Sequence, residues 1–210
     1  MSGSASPRLW YVAYASNLAL ERLRCYLRGG RVAGGTRVYP GCRDPQDPAD
    51  STPLHVPGGL VFAGRSRVWR GGIAFHDPDA AGTVACRGHL VTRAQLADVV
   101  AQETRQPPGG EFARHLEGLL PHVDGHVRTW GPGLYDTVYP VGDRDGVPMV
   151  TVTHREVASM TPVAPTAPYL RWIVAGLRET HGWEDDRIGC YLAEAPGFRA
   201  GWTPEAITAL

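Results

Sequence analysis

A chain of 210 residues, 43% hydrophobic and 20% charged, has the composition of an ordinary globular protein, and its length favours one domain over 1–210 with one core. Its 21 basic and 21 acidic residues cancel, so no global charge draws it to nucleic acid. All the basic residues are arginine, which excludes Schiff-base catalysis, a lysine-bound pyridoxal phosphate and the P-loop lysine.

The opening MSGSASPRLW lacks the charged start and apolar run of a signal peptide, and no apolar stretch is long enough to span a bilayer. A cytoplasmic location is the expectation. LWYVAY then reads as a strand, and Leu18 to Leu27 as a helix with Leu23, Tyr26 and Leu27 at helical spacing and Glu21 in its first turn. Only Tyr14-Ala15-Ser16-Asn17 separates the two patterns. A strand that delivers small residues onto a helix N-terminus lets a ligand oxygen approach free N–H groups, which suits a carboxylate, a phosphate or a developing oxyanion. A plain N-cap by Ser16 or Asn17 accounts for the corner as well, and on the corner alone it prevails.

GCRDPQDPADSTPLHVPGG carries proline, aspartate and glycine without periodicity and reads as a long surface loop near 40–60. LVFAGRS, GIAFHD and TVACRGHLV are short strands between turn residues. TRAQLADVVAQET begins with Thr92 and Gln95 in capping-box spacing. Leu96, Val99 and Val100 define the buried stripe of this helix, and the next position on it is Glu103. Desolvation and the negative helix end both raise the pKa expected for a carboxylate held there, which would poise it as a general base. A helix that frays before Glu103 would instead leave it in water. The two readings stand even.

LYDTVYPV and VPMVTVTH pair across GDRDG. TAPYLRWIVAGLRETHG and EDDRIGCYLAEA are amphipathic helices, and Thr203-Pro204-Glu205 starts a short terminal one. Strands first and helices gathered late predict an α+β fold with a curled or barrel-like sheet. Other motifs carry less. His122 and His126 stand at a metal-ligand spacing, but Pro121 and Gly125 argue against a helix there, so no metal is expected. GGEF at Gly109 to Phe112 is a turn into a helix. Cys42 has neither a base nor an oxyanion motif beside it, and Cys25, Cys42, Cys86 and Cys190 read as reduced thiols.

The order of motifs resembles the γ-glutamylcyclotransferase-like family. Tyr14-Ala15-Ser16-Asn17-Leu18 is similar to its Tyr-Gly-Ser-Asn signature, WRGGIAF to its Trp-x-Gly-Gly-x-Ala segment, and RGHLVTRAQLADVVAQET to the strand and helix that end in its catalytic glutamate. The resemblance runs from about Trp10 to Leu192 and is poor across 40–60. It implies a small mixed β-barrel with flanking helices and release of 5-oxoproline from a γ-glutamyl amide, a lyase or transferase type of cyclisation without metal or organic cofactor. It implies Glu103 as general base and acid, and Tyr14, Ala15, Ser16, Asn17 and Leu18 as the substrate cradle. LYDTV adds Tyr135, and APTAPYLRWIVAGL adds Tyr169. The expected partner is a small-molecule γ-glutamyl amide, with no nucleic acid and no membrane, and a homodimer is left open. Ala15 replaces the family glycine; its methyl either strains a φ > 0 position or narrows the cradle. A non-catalytic binding or interaction module of the same fold is the alternative, and a metal-dependent amidohydrolase or deacetylase ranks last because the eight histidines are scattered.

Overall fold

The computed structural model describes residues 7–120, 127–131 and 133–210. In chain order, β1 (Arg8–Ala13) leads through a 3-10 turn, Ser16–Leu18, into α1 (Leu20–Arg28). The short strands β2 (Gly30–Arg31) and β3 (Val38–Tyr39) pair beyond it. Next come β4 (Asp50–Pro57), β5 (Gly59–Ala63), β6 (Ile73–Asp77) and β7 (Thr83–Thr92), then α2 (Arg93–Glu103) and α3 (Glu111–Leu119). β8 (Arg128–Thr129), β9 (Thr137–Arg144) and β10 (Val147–Thr153) precede α4 (Ala167–His181) and α5 (Asp185–Ala193), and a 3-10 segment, Pro204–Ala209, follows near the end.

The main sheet has the order β4-β7-β1-β10-β9-β8 and is antiparallel except where β1 runs parallel to β10. It curls into a half-barrel. The β5–β6 hairpin packs against it, tied by the bond from Thr153 Oγ1 to the His76 carbonyl at 2.6 Å. The alternation of β1 sends its side chains into two cores, as a strand buried on both faces requires. Leu9 packs with Leu96, Val100 and Leu116 of α2 and α3, whereas Val12 joins the larger core under α1, α4 and α5.

Much of this matches the local signals. Thr92 and Gln95 form the complete capping box of α2, and β9 and β10 pair across Asp145-Gly146. The surface loop is shorter than expected. Residues 50–57 are strand β4, paired along its length with β7. An edge strand has N–H groups that face no neighbour, so Pro53 and Pro57 are tolerated, and only Val56 is fully buried, which erases the alternation.

Two glycines let backbones meet where the site is built. A Cβ on Gly72 would lie 2.0 Å from the Val163 carbonyl oxygen, and one on Gly176 of α4 would lie 2.3 Å from the Leu18 Cβ. The first pins the Trp69–Phe75 segment against the strand-like stretch before α4; the second seats α4 directly on the corner after β1.

Candidate functional site

The corner is more closely held than a strand-to-helix junction alone would be. Leu18 N–H donates to the Ala15 carbonyl at 2.9 Å, so the N–H groups of Ser16 and Asn17 precede the first internal bond of the 3-10 turn. Neither Ser16 nor Asn17 caps α1. Its N-cap is Ala19, and the N–H of Leu20 is met by Glu179 of α4 at 3.2 Å. Glu179 in turn pairs with Arg87 at 2.5 Å, and Arg87 donates to the Leu18 carbonyl at 3.1 Å. With the cap supplied from elsewhere, the side chains of Ser16 and Asn17 are released from that task.

Asn17 is fixed on two sides. Its Nδ2 donates to the Tyr11 hydroxyl at 3.0 Å, and its carbonyl meets His89 Nε2 at 3.0 Å. A carbonyl only accepts, so Nε2 carries the proton, and Nδ1 faces Ser51 Oγ at 2.9 Å. Burial pushes the His89 pKa down to about 4, with nearby Arg87 adding to the effect. Ala15 has φ −126°, so its methyl does not strain a left-handed position. The methyl lines the pocket instead.

Glu103 closes the site from the other side. Helix α2 reaches it without fraying, and its side chain is half-buried. The hydroxyl of Tyr26 donates to Glu103 Oε1 in a short bond. Gln102, fully buried, sets this meeting: its Nε2 donates to the Tyr26 carbonyl at 3.0 Å and its Oε1 accepts from Gly41 N–H at 3.3 Å. A small pocket of about 30 Å³ brings Glu103 together with Tyr14, Ala15, Ser16, Asn17 and Tyr135. A larger cavity of about 510 Å³ adjoins it and shares Ser16, Glu103 and Tyr135 as walls, and Tyr169 lines this cavity alone. Leu18 reaches neither; it is fully buried beneath α4.

Tyr135 and Tyr169 hold the backbone of one residue of β6, Ala74, from both of its polar groups. Tyr135 donates to the Ala74 carbonyl and Tyr169 accepts from the Ala74 N–H, both at 3.0 Å. Tyr14 donates to the Val152 carbonyl at 2.7 Å. Burial raises every one of these phenols well above its usual range, and it brings Tyr11 up to about 12, so all stay protonated hydrogen-bonding groups.

Arg22, to which no motif points, is 1% exposed. Its Nη2 donates to Tyr26 at 2.6 Å and Tyr39 at 3.1 Å, and its guanidinium carbon stands 4.1 Å from the Tyr26 ring centre, 4.9 Å from that of Tyr39 and 5.8 Å from Trp69. Burial works against the charge, but Tyr26, Tyr39 and Glu103 outweigh it and hold the pKa above the usual arginine value. One sequence signal does bear on it: Arg22 stands four residues before the buried Tyr26, so it shares that face of α1. Cys42 is no nucleophile here, since burial pushes its thiol up to about 12. His122 and His126 lie outside the described residues. Among those described, no three His, Cys, Asp or Glu side chains are grouped to hold a metal ion, and no helix is long and apolar enough to cross a membrane.

No protein-family model matches the chain. It is 26% identical over 207 residues to histone deacetylase 5 of Arabidopsis thaliana, a match that takes in 89% of this chain. The chain spans only 30% of the length of that protein. Among solved structures, a γ-glutamyl cyclotransferase aligns with a TM-score of 0.52 and 16% identity, covering 96% of each chain. An uncharacterized protein from Homo sapiens aligns at a TM-score of 0.47, also with 16% identity and 96% of each chain covered. The mixed α+β half-barrel with flanking helices is thus the fold of γ-glutamyl cyclotransferase, and at this identity the likeness carries the fold alone.

Proposed function

We propose that the protein is a γ-glutamylcyclotransferase-type enzyme that releases 5-oxoproline from a γ-glutamyl amide. The observation that carries the reading is one small pocket walled by both Glu103 and the Ser16–Asn17 turn. Glu103 takes a proton from the substrate α-ammonium group, and the freed amine attacks its own γ-carbonyl carbon. The carbonyl oxygen becomes an oxyanion facing the N–H groups that open the turn. Collapse of this intermediate breaks the γ-amide bond: protonated Glu103 gives its proton to the departing amine, then takes the second proton that the ring nitrogen sheds and passes it to the amine, which leaves as an ammonium. One molecule each of 5-oxoproline and free amine result. Ring closure is intramolecular, so the protein mainly folds the substrate onto itself. Ala15, Tyr14 and Tyr135 shape that bend, Tyr169 bounds the space for the leaving amine, and Leu18 supports the turn from beneath.

The test is 5-oxoproline release from a panel of γ-glutamyl amides, with and without EDTA. Turnover unaffected by chelation supports the reading. Binding of 5-oxoproline without turnover of any amide would make this fold a non-catalytic binding module. A metal-dependent deacetylase reading is favoured by the name of the Arabidopsis relative, but the shared segment is a minor part of that protein and the described residues offer no metal-ligand grouping. Activity lost to chelation and restored by zinc would establish it.

A further inference from the structure

Among the described residues, five arginines wall the larger cavity (Arg22, Arg37, Arg65, Arg67 and Arg105), against a single carboxylate, Glu103. Six other arginines of this chain meet acids. Arg24 and Arg28 share Asp47, Arg43 holds Asp98 and Glu117, and Arg87, Arg155 and Arg178 hold Glu179, Asp136 and Asp185. None of the five cavity arginines has a carboxylate within ion-pair distance among the described residues. Arg22 is the extreme case: it is buried, and its Nε and Nη1 have no hydrogen-bond partner there. Glu103 reaches this buried guanidinium only through Tyr26, and its two unpartnered nitrogens leave it without a direct anionic contact, which marks a place kept for one.

The surrounding arginines are presented by ordered backbone. Ser66 Oγ accepts from the N–H groups of Val68 and Trp69, both at 3.1 Å, and Ser66 N–H donates to the Gly71 carbonyl at 2.9 Å. This staples the loop that carries Arg65 and Arg67. Arg37 donates to the Gln102 carbonyl at 2.6 Å and stacks on Tyr39, so it too is held at the cavity wall.

We infer that this cavity receives the leaving amine of the substrate, and that this amine carries about two negative charges, as a phosphate monoester or paired carboxylates. The inference rests on the cyclotransferase reading of the adjoining pocket. The γ-glutamyl half of a substrate brings one α-carboxylate, which a single arginine satisfies in bidentate fashion, and one α-ammonium, which faces Glu103. A neutral or cationic leaving amine would make no ionic contact with the other arginines, of which Arg65, Arg67 and Arg105 are exposed to solvent and Arg37 is half-buried. A polyanionic one neutralises them.

The test compares γ-glutamyl ethanolamide with its phosphate ester, a pair that differs only in the added dianion. The phosphate ester is expected to show a kcat/KM higher by about tenfold or more, an advantage that shrinks with added salt. Arg65→Gln and Arg67→Gln should each lower the ratio of the two kcat/KM values by about twofold to fivefold. Arg171→Gln, on an exposed position of α4 away from the cavity, should leave the ratio unchanged. Equal turnover of both amides overturns the inference and leaves the cyclotransferase reading standing. Turnover of neither amide counts against the cyclotransferase reading, and calorimetry with O-phosphoethanolamine and ethanolamine then decides the inference. Binding of the phosphate compound alone, weakened by Arg65→Gln, supports it; equal or absent binding overturns it.

Discussion

Tyr26 donates its hydroxyl proton to Glu103 across 77 positions of sequence, and it accepts from Arg22 through the same oxygen. A buried cation, a neutral phenol and a carboxylate therefore form one chain ending in the pocket. The phenol passes the positive influence of Arg22 to Glu103 without placing the two charges in contact, and so leaves Glu103 open to a substrate ammonium.

Glu103→Gln keeps the shape and can still accept from Tyr26, but it cannot take a proton. Loss of a general base should lower kcat by roughly 10²–10⁴-fold with KM close to wild type. Removing an anion from the vicinity of buried Arg22 should also cost some stability, about 1 kcal/mol or less because Glu103 is half-exposed to solvent. Near-wild-type turnover would remove Glu103 as the base and leave the likeness to stand for the fold.

Arg22→Met separates function from stability. The variant loses two hydrogen bonds to tyrosine but also removes two buried, unpartnered guanidinium nitrogens. These effects oppose each other, so denaturant unfolding should place its stability within about 2 kcal/mol of wild type. Activity should fall by tenfold or more, roughly the effect of one charge-assisted contact. A much larger loss of stability with turnover retained would make Arg22 a structural residue.

Ala15→Gly should widen the range of amides accepted, because the methyl lines the pocket at a φ that any residue adopts. The added freedom of the unfolded chain should cost about 0.4–1 kcal/mol. An unchanged substrate profile, measured on the same amide panel, would show that Ala15 carries no specificity information.

His89 gives the corner an acid limit. Its pKa is depressed to about 4 in the fold, below the usual value near 6.5, so the unfolded chain binds the extra proton first. Its contribution is therefore fully present above about pH 6.5 and is lost as the pH falls towards 4, a loss of order 3 kcal/mol. His89→Gln retains a donor for the Asn17 carbonyl and cannot titrate. Thermal unfolding between pH 7 and 4 should fall less steeply for this variant than for wild type; identical slopes would refute the assignment.

Elements whose signals are local are legible in the sequence. The capping box at Thr92 and Gln95, the stripe of Leu96, Val99 and Val100, and the pairing across Asp145-Gly146 all depend on neighbours within a few residues. β4 is not legible in this way. Its pairing with β7 spans a distant segment, and its prolines look like loop until an edge position excuses them.

Periodicity and residue type placed Glu103 on the apolar stripe of a helix and small residues after the first strand, and the family resemblance pointed to Tyr135 and Tyr169. Helical and strand patterns specify such placements one element at a time. That the helix holds as far as Glu103, and that Tyr135 stands just before β9, not within it, came from the structure. Packing between elements settled that Glu179 caps α1 in place of Ser16, that Leu18 turns into the core, and that Tyr26 reaches Glu103. Packing also gathered Arg22, Arg37, Arg65, Arg67 and Arg105 around one cavity. An arginine taken alone in the sequence reads as solvated surface. What distinguishes these five is that they converge on one cavity whose described walls include one carboxylate, Glu103, and such a gathering is set by contacts between segments far apart in sequence.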